Sequence, residues 1–382
     1  MLANTQRTTL CTAAWRSACR QAEQMDWLLL GSAGLLILLG LVFISSALDS
    51  GVGGMVLRQL VFAGIGLAAF LVAQRVDYLR LLKWSPLLYG AGLFLLLAVL
   101  FTRPINGARS WFNLYVFNLQ PSELMKPLLI VTLAHYLMYR DSYKRLTGLV
   151  LPMALWFVPL GLILKQPDMG TAMVLVPCIF AMLYAAGARL RHLGLALATG
   201  ACGLAMLWFT VMKDYQKRRV LAWLNPEEYR LNEAWQQWHA EIAIGSGGFF
   251  GRSFGAEGAG GASTLPERHT DFIFAVAAEQ GGFAVSAFLL LLLCLLGVAA
   301  LGVALRTREP AGRLIAVGVA TLLCGQALIN IGVATGMLPT TGVTLPFVSY
   351  GGSSLLSACL CLGLLTNVAT RREVVLARED FE

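Results

Sequence analysis

Apolar residues fall along this chain in long unbroken runs, separated by short stretches where Arg, Lys, Gly and Pro collect. Strands fit poorly, because the runs are continuous and do not alternate at period two. A helix needs roughly 20 residues to cross about 30 Å of hydrocarbon, and it satisfies its own backbone hydrogen bonds there. Ten runs have or approach that length: about 27–48, 55–73, 84–101, 121–139, 149–165, 169–187, 193–212, 272–305, 314–336 and 351–369. The pattern predicts an all-α, polytopic integral membrane protein of about ten transmembrane helices. The fourth run carries Glu123 and Lys126, and the fifth, sixth and eighth have indistinct ends.

Composition agrees. Of 382 residues, 57% are hydrophobic and 13% charged, against about 25% charged in soluble domains; mean hydropathy is +0.69. Arg7, Arg16 and Arg20 precede a first run too long for a signal peptide and without a small-residue cleavage site, so it is expected to stay as an anchor. Alternate short loops and the tails hold seventeen Lys and Arg, whereas the remaining short loops hold only Arg58, Arg103, Arg109 and Lys165. That asymmetry places both termini in the cytoplasm and the long 213–271 segment, between helices 7 and 8, outside. The expected layout is a tail over 1–26, a transmembrane domain over 27–370 and a tail over 371–382. The net charge of +8 then reflects topology. Nothing interleaves basic and aromatic residues as a nucleic-acid surface would. Cys11 and Cys19 precede the first run and the other six cysteines sit inside runs, which leaves no disulfide partners in the outer loops; no zinc-ligand spacing occurs.

Polar residues at the edges of the runs are the candidates for chemistry. Asp271 follows Glu267-Arg268-His269-Thr270 at the border of the eighth run. It reads either as a functional carboxylate or, with Thr270, as a helix cap accepting free N–H groups. Glu123 and Lys126 are three residues apart, share a helix face and can pair. Asp168 sits where one run ends and the next begins, as a cap would. Arg109 suits a phosphate or a lipid headgroup. Gly245 to Gly248, with Gly251 and Gly255, suits a phosphate cradle or a simple bend. Pro346 to Ser354 interrupts the start of the last run with Gly, Ser and Pro. The 213–271 segment holds Trp223, Tyr229, Trp235 and Trp238, and 232–244 suits an amphipathic interfacial helix.

Several of these pieces together resemble the SEDS family of bacterial cell-wall polymerases, RodA and FtsW. They are Gly107-Ala108-Arg109-Ser110-Trp111 with Gln120-Pro121-Ser122-Glu123 and Lys126; Gln166 to Thr171; Tyr215 to Arg219 with Asn225-Pro226; Ile242 to Gly248; Pro266 to Phe274; and Leu338-Pro339 through Pro346 to Ser353. They run in family order over about 27–370. Pro266–Phe274 and Ile242–Gly248 look more like RodA, while Thr344-Leu345-Pro346 and Ser353 to Leu356 lean toward FtsW. His239-Ala240 and Glu279 to Gly282 depart from the usual RodA pattern.

The resemblance implies a peptidoglycan glycosyltransferase that polymerises lipid II at the outer face of the bacterial cytoplasmic membrane, in elongation and cell shape. Asp271 matches the family's catalytic aspartate and would act as general base. Arg109, Lys126, Glu123, Asp168, His269, Ser349 and Gly351 are the expected substrate-binding residues. A divalent cation, Mg or Mn, is a possible cofactor, with no organic cofactor, and a class B penicillin-binding protein is the implied partner. A lipid II flippase and a non-catalytic scaffold of the elongation or division complex are the alternatives. For the topology, a cysteine introduced at Ser263 should react with an impermeant maleimide on intact cells. Reaction only after the membrane is breached would overturn the orientation.

Overall fold

The computed structural model describes residues 26–46, 53–104, 108–113, 118–138, 146–210, 212–252, 265 and 267–371. Most of both tails, the stretch 139–145 with Arg140, Lys144 and Arg145, and Gly107, Gly255, Ser263 and Pro266 lie outside the described residues. Within them the chain forms twelve α-helices: α1 (Trp27–Ser46), α2 (Gly53–Arg75), α3 (Tyr78–Ala98), α4 (Pro121–Leu137), α5 (Val150–Lys165), α6 (Met169–Ala186), α7 (Leu190–Thr210), α8 (Asp214–Leu224), α9 (Trp235–Ser246), α10 (Ile273–Arg306), α11 (Pro310–Ala334) and α12 (Gly352–Thr370). Nine helical stretches among the described residues are long and apolar enough to cross a membrane. The fourth expected run forms the 17-residue α4, which is not among those nine. A hairpin of β1 (Phe112–Asn113) and β2 (Asn118–Leu119) departs from the all-helical pattern.

Helix ends follow local chemistry. Pro121 and Pro310 stand in the first turn, where a missing N–H costs nothing. The Asp77 side chain accepts from Leu79 N at 3.0 Å, so α3 starts six residues before the apolar run does. Arg80 and Lys83 end the apolar window without ending the helix, because both residues are good helix formers. Gly187, at φ 101°, closes α6 in the left-handed conformation.

The helix α12 is the centre of the bundle. It packs along α2 and also touches α4, α10 and α11. Side chains are small where backbones approach closely, as membrane helices require: at Gly363 a Cβ would stand 2.7 Å from Phe70 O of α2. Beyond it, α10 packs on α11 and α1, α11 on α6, and α3 on α4. By contrast α7 buries only Leu193.

At 1.5 Å per residue the 34 residues of α10 span about 51 Å, more than the roughly 30 Å of a hydrocarbon core. Gly282, at φ 68° and ψ −164°, breaks the helix near one end. The broken helix leaves peptide groups to be satisfied, and the glycine-rich segment after α9 satisfies them. Arg252 N donates to Glu279 O at 3.0 Å, Phe283 N to Gly248 O at 2.9 Å and Ala284 N to Phe249 O at 3.1 Å. The segment is therefore a backbone splint on α10, in keeping with the bend reading of these glycines. The expected 232–244 helix forms as α9, with Gln237, Ala240 and Ala243 buried as it packs against α10 and α11.

At Gly251, φ is +83° and a Cβ would meet Gln280 O at 2.0 Å. Gly251→Ala should lower the melting temperature in detergent, with strain of about 1–3 kcal/mol. Gly31→Ala, where nothing lies within 4 Å, should be neutral or slightly stabilising. Equal melting of Gly251→Ala and wild type would remove the splint from the account.

Candidate functional site

A cavity of about 540 Å³ lies at the end of the bundle that carries α8 and α9. Arg58, Glu123, Lys126, Glu267 and Asp271 put charge in its wall, and Phe62, Trp111 and Tyr350 put rings there. Five chain segments far apart in sequence meet in this wall: the start of α2, the hairpin with α4, the start of α6, the turn before α10, and the ribbon from α11 into α12.

The turn at 267–272 is helical, with Thr270 N and Asp271 N both donating to Glu267 O at 3.2 Å. The residue that caps α10 is Phe272, which makes no side-chain cap bond. Thr270 sends its hydroxyl back to Glu267 O at 3.2 Å and Oε2 at 3.1 Å. No described residue donates to the Asp271 carboxylate. This excludes the cap reading of Asp271 and leaves its carboxylate open to the cavity.

What is held instead is the Asp271 backbone. Three consecutive carbonyls are gripped in turn: His269 O by Tyr350 N at 2.9 Å, Thr270 O by Ser349 Oγ at 2.6 Å, and Asp271 O by Asn330 Nδ2 at 2.8 Å. Asn330, in α11, also donates to Val343 O at 2.7 Å, and so fastens the ribbon to the turn. Ser349 Oγ accepts from Leu345 N at 2.8 Å. Gln59 of α2 flanks the same ribbon through Ser349 O and Gly351 N, both at 3.4 Å. Burial pushes the Asp271 carboxyl up to about 7, Glu267 adds repulsion, Arg219 opposes both and Asp168 adds a smaller push upward. Such a group exchanges protons near neutrality.

Glu123 and Lys126 form an ion pair at 2.7 Å on one face of α4, with Lys126 buried, and both line the cavity. The expected pairing is present, and it sits in the site as well. Gly351 also lines the cavity.

Four other expected residues fall outside the lining. Asp168 caps α6: its Oδ1 accepts from Thr171 N at 3.0 Å, and its Oδ2 from Gln120 Nε2 and Ser122 Oγ, both at 2.9 Å. Its carboxylate is thus engaged in tying α4 to α6. Arg109 sends Nη1 to Leu100 O at 3.2 Å. His269 meets Tyr350 edge-on at 5.5 Å, and burial lowers its imidazole below the ordinary value, ahead of Glu267 raising it and Arg268 lowering it further. Ser349 is buried and acts on the turn's backbone.

Arg58 and Asn330 carry no signal of their own in the sequence beyond polarity at the edge or inside of an apolar run, whereas Glu267 lies in the 266–274 piece of the resemblance without being singled out. For Asn330, that signal was available: an amide within a membrane run usually bonds across helices.

A family model for the FtsW/RodA/SpoVE proteins, described as cell cycle protein, matches residues 23–374. A probable peptidoglycan glycosyltransferase FtsW of Geobacter metallireducens is 42% identical over 324 residues, covering 82% of this chain and 84% of that protein. Stage V sporulation protein E of Bacillus subtilis is 39% identical over 322 residues, covering 82% of this chain and 86% of that protein. Among solved structures, a chain from a peptidoglycan synthase complex that coordinates polymerization and crosslinking aligns with a TM-score of 0.81 at 36% identity, over 91% of this chain and 98% of its own. Thermus thermophilus RodA aligns at 0.69 and 34% identity, over 92% of this chain and 98% of its own. With the family model spanning all ten runs and relatives above 30% identity over most of their length, this chain belongs to the FtsW/RodA/SpoVE family, the SEDS proteins.

Proposed function

We propose that this protein is a peptidoglycan glycosyltransferase that polymerises lipid II at the outer face of the cytoplasmic membrane, with Asp271 as its general base. The observation that carries the reading is the open carboxylate of Asp271, poised at about 7 in a cavity whose wall also bears Lys126 and Arg58. A base works best when its pKa lies near the working pH. The acceptor is the 4-hydroxyl of N-acetylglucosamine. Its oxygen attacks the anomeric carbon of the donor sugar as its proton passes to Asp271. The bond to the diphosphate breaks, its electron pair leaves with undecaprenyl diphosphate, and the anomeric centre inverts.

Charge develops on the leaving diphosphate, and fixed cations in a partly dry cavity stabilise it there. Lys126 and Arg58 are placed for that. Arg109 would join them only by leaving the Leu100 carbonyl. Among the described residues no three His, Cys, Asp or Glu side chains gather as a metal site. Mg²⁺ commonly binds through one or two carboxylates plus substrate phosphates; Glu267 fits that use. Such a cation would neutralise phosphate charge, and chelation would then slow the reaction. Both termini lie in the cytoplasm in this reading, and a class B penicillin-binding protein is the partner, as the synthase complex among the structural relatives supports. Elongation rests on the likeness to RodA of 266–274 and 242–248, whereas relatives named FtsW favour the septum. Localisation of a fluorescent fusion to lateral wall or septum discriminates the two.

In a purified assay with the partner, Asp271→Asn should lose at least about 100-fold in polymerisation while folding normally. The wild-type kcat/KM should rise with pH through about 7, as the base loses its proton. Folding carries the opposite sign. A carboxyl raised in the folded state stabilises it below the ordinary carboxylate range, and that contribution is lost as pH rises toward 7. Asp271→Asn should therefore gain stability over wild type between pH 4 and 7. Activity above a tenth of wild type in Asp271→Asn would rule out the base.

The ion pair has its own test. Replacing both charges of a buried pair is often tolerated, whereas breaking one is not. Glu123→Gln/Lys126→Met should stay as inactive as Lys126→Met alone when Lys126 stabilises diphosphate. Recovery of activity in the double variant would leave Lys126 as architecture.

A further inference from the structure

Beside the cavity, on the other side of the 338–344 ribbon, lies a groove of about 460 Å³. Arg219 of α8, Asn232, Glu233, Trp235 and Gln236 from the start of α9 and its approach, and Thr340 of the ribbon form its wall. Thr340 is only two residues from Gly342, which lines the cavity. The charge of Arg219 reaches Asp271 and favours its ionised form. Groove and cavity are therefore neighbours across one thin strand of chain.

The groove is built on fixed elements. Trp223 Nε1 donates to Gly336 O at 3.1 Å and Gln237 Nε2 to Leu338 O at 3.1 Å, which fastens α8 and α9 to both sides of the ribbon's start. Asn232 is exposed and Gln236 half-buried, and the side-chain amide of neither bonds to a described residue, so both are open to a ligand. Each amide offers both donors and an acceptor. Trp235, half-buried, adds a broad apolar ring with one polar N–H. Arg219 and Glu233 both line the groove, and Leu231 adds an apolar side chain, so the wall carries both signs of charge and is not an anion site. A flat aromatic ring beside free amides and mixed charge suits a neutral, hydroxyl-rich ligand with an apolar face. A pyranose with an acetamido group is such a ligand.

Size points the same way. Pockets of about 300–1,000 Å³ hold one drug-sized ligand, and on the polymerase reading the diphosphate and the reacting sugars would fill the 540 Å³ cavity. A strand longer than the reacting unit needs another surface. We propose that the groove binds the sugar units next to the reacting one, so that the glycan strand runs from Asp271 across Thr340 onto Trp235. This rests on the polymerase reading above. Held there, a strand stays on the protein between additions, and the groove sets its length.

Two variants test this: Trp235→Ala, and Asn232→Ala/Gln236→Ala, which leaves the Trp235–His239 ring stacking untouched. With the partner protein and lipid II, both should consume lipid II at close to the wild-type rate and yield strands several-fold shorter on a gel. Wild-type lengths in the double-amide variant, or lengths that fall only in proportion to consumption, would overturn the proposal. Binding is measured separately by hydrogen exchange with chitotetraose on Asp271→Asn protein. Residues 231–240 should be protected, and protection should disappear when Asn232→Ala/Gln236→Ala is added. Polymer formation without protection or any change of length sinks the groove alone. Protection in a protein whose wild type makes no polymer sinks the polymerase reading and leaves the saccharide site.

Discussion

Everything at the site depends on three peptide carbonyls in a row, those of His269, Thr270 and Asp271. A backbone carbonyl away from water must find a donor, and a turn placed before a helix has few of its own. The donors come from elsewhere: a peptide N–H of the ribbon at Tyr350, a hydroxyl at Ser349 and an amide at Asn330 in the middle of α11. Because consecutive peptides are gripped, the Asp271 side chain has one direction to leave the backbone, and it leaves into the cavity. A carboxylate used as a base has to be positioned without being consumed by hydrogen bonds. Holding its main chain achieves both.

The same logic explains the break in α10. Gly282 interrupts the helix, and the freed peptide groups are matched by those of Gly248, Phe249 and Arg252. The glycines there are required by contact as much as by conformation, since a Cβ at Gly247 would stand 2.0 Å from Ala278 O. The segment from Gly248 to Arg252 is in this way part of the bundle's hydrogen bonding and fixes the end of α9 to α10.

Charge is distributed with equal economy. Asp168 and Asp271 are both carboxylates at the entrance to an apolar helix, and their neighbours separate their roles. Asp168 receives three hydrogen bonds and joins α4 to α6. The Asp271 carboxylate receives none from the described residues, and burial with Glu267 nearby raises its proton affinity. Lys126 is buried inside the bundle, and Glu123, one helical turn away on the same face, pairs with it at 2.7 Å.

The order and extent of the membrane helices were legible in the sequence, because crossing hydrocarbon imposes a length and a composition that local residues alone supply. The Glu123–Lys126 pair was legible too, since a spacing of three on a helix is a contact. The Asp168 cap followed from one residue beside one helix start. Local rules gave no choice between cap and open carboxylate for Asp271, because its fate depends on Asn330, Ser349 and Tyr350, which lie 59 to 79 residues away in the chain. Arg58 enters the cavity for the same reason: nothing within its own segment says which of the other four it will face. What one helix does to itself is written in its own residues, and only packing decides which helices, loops and charges face one another.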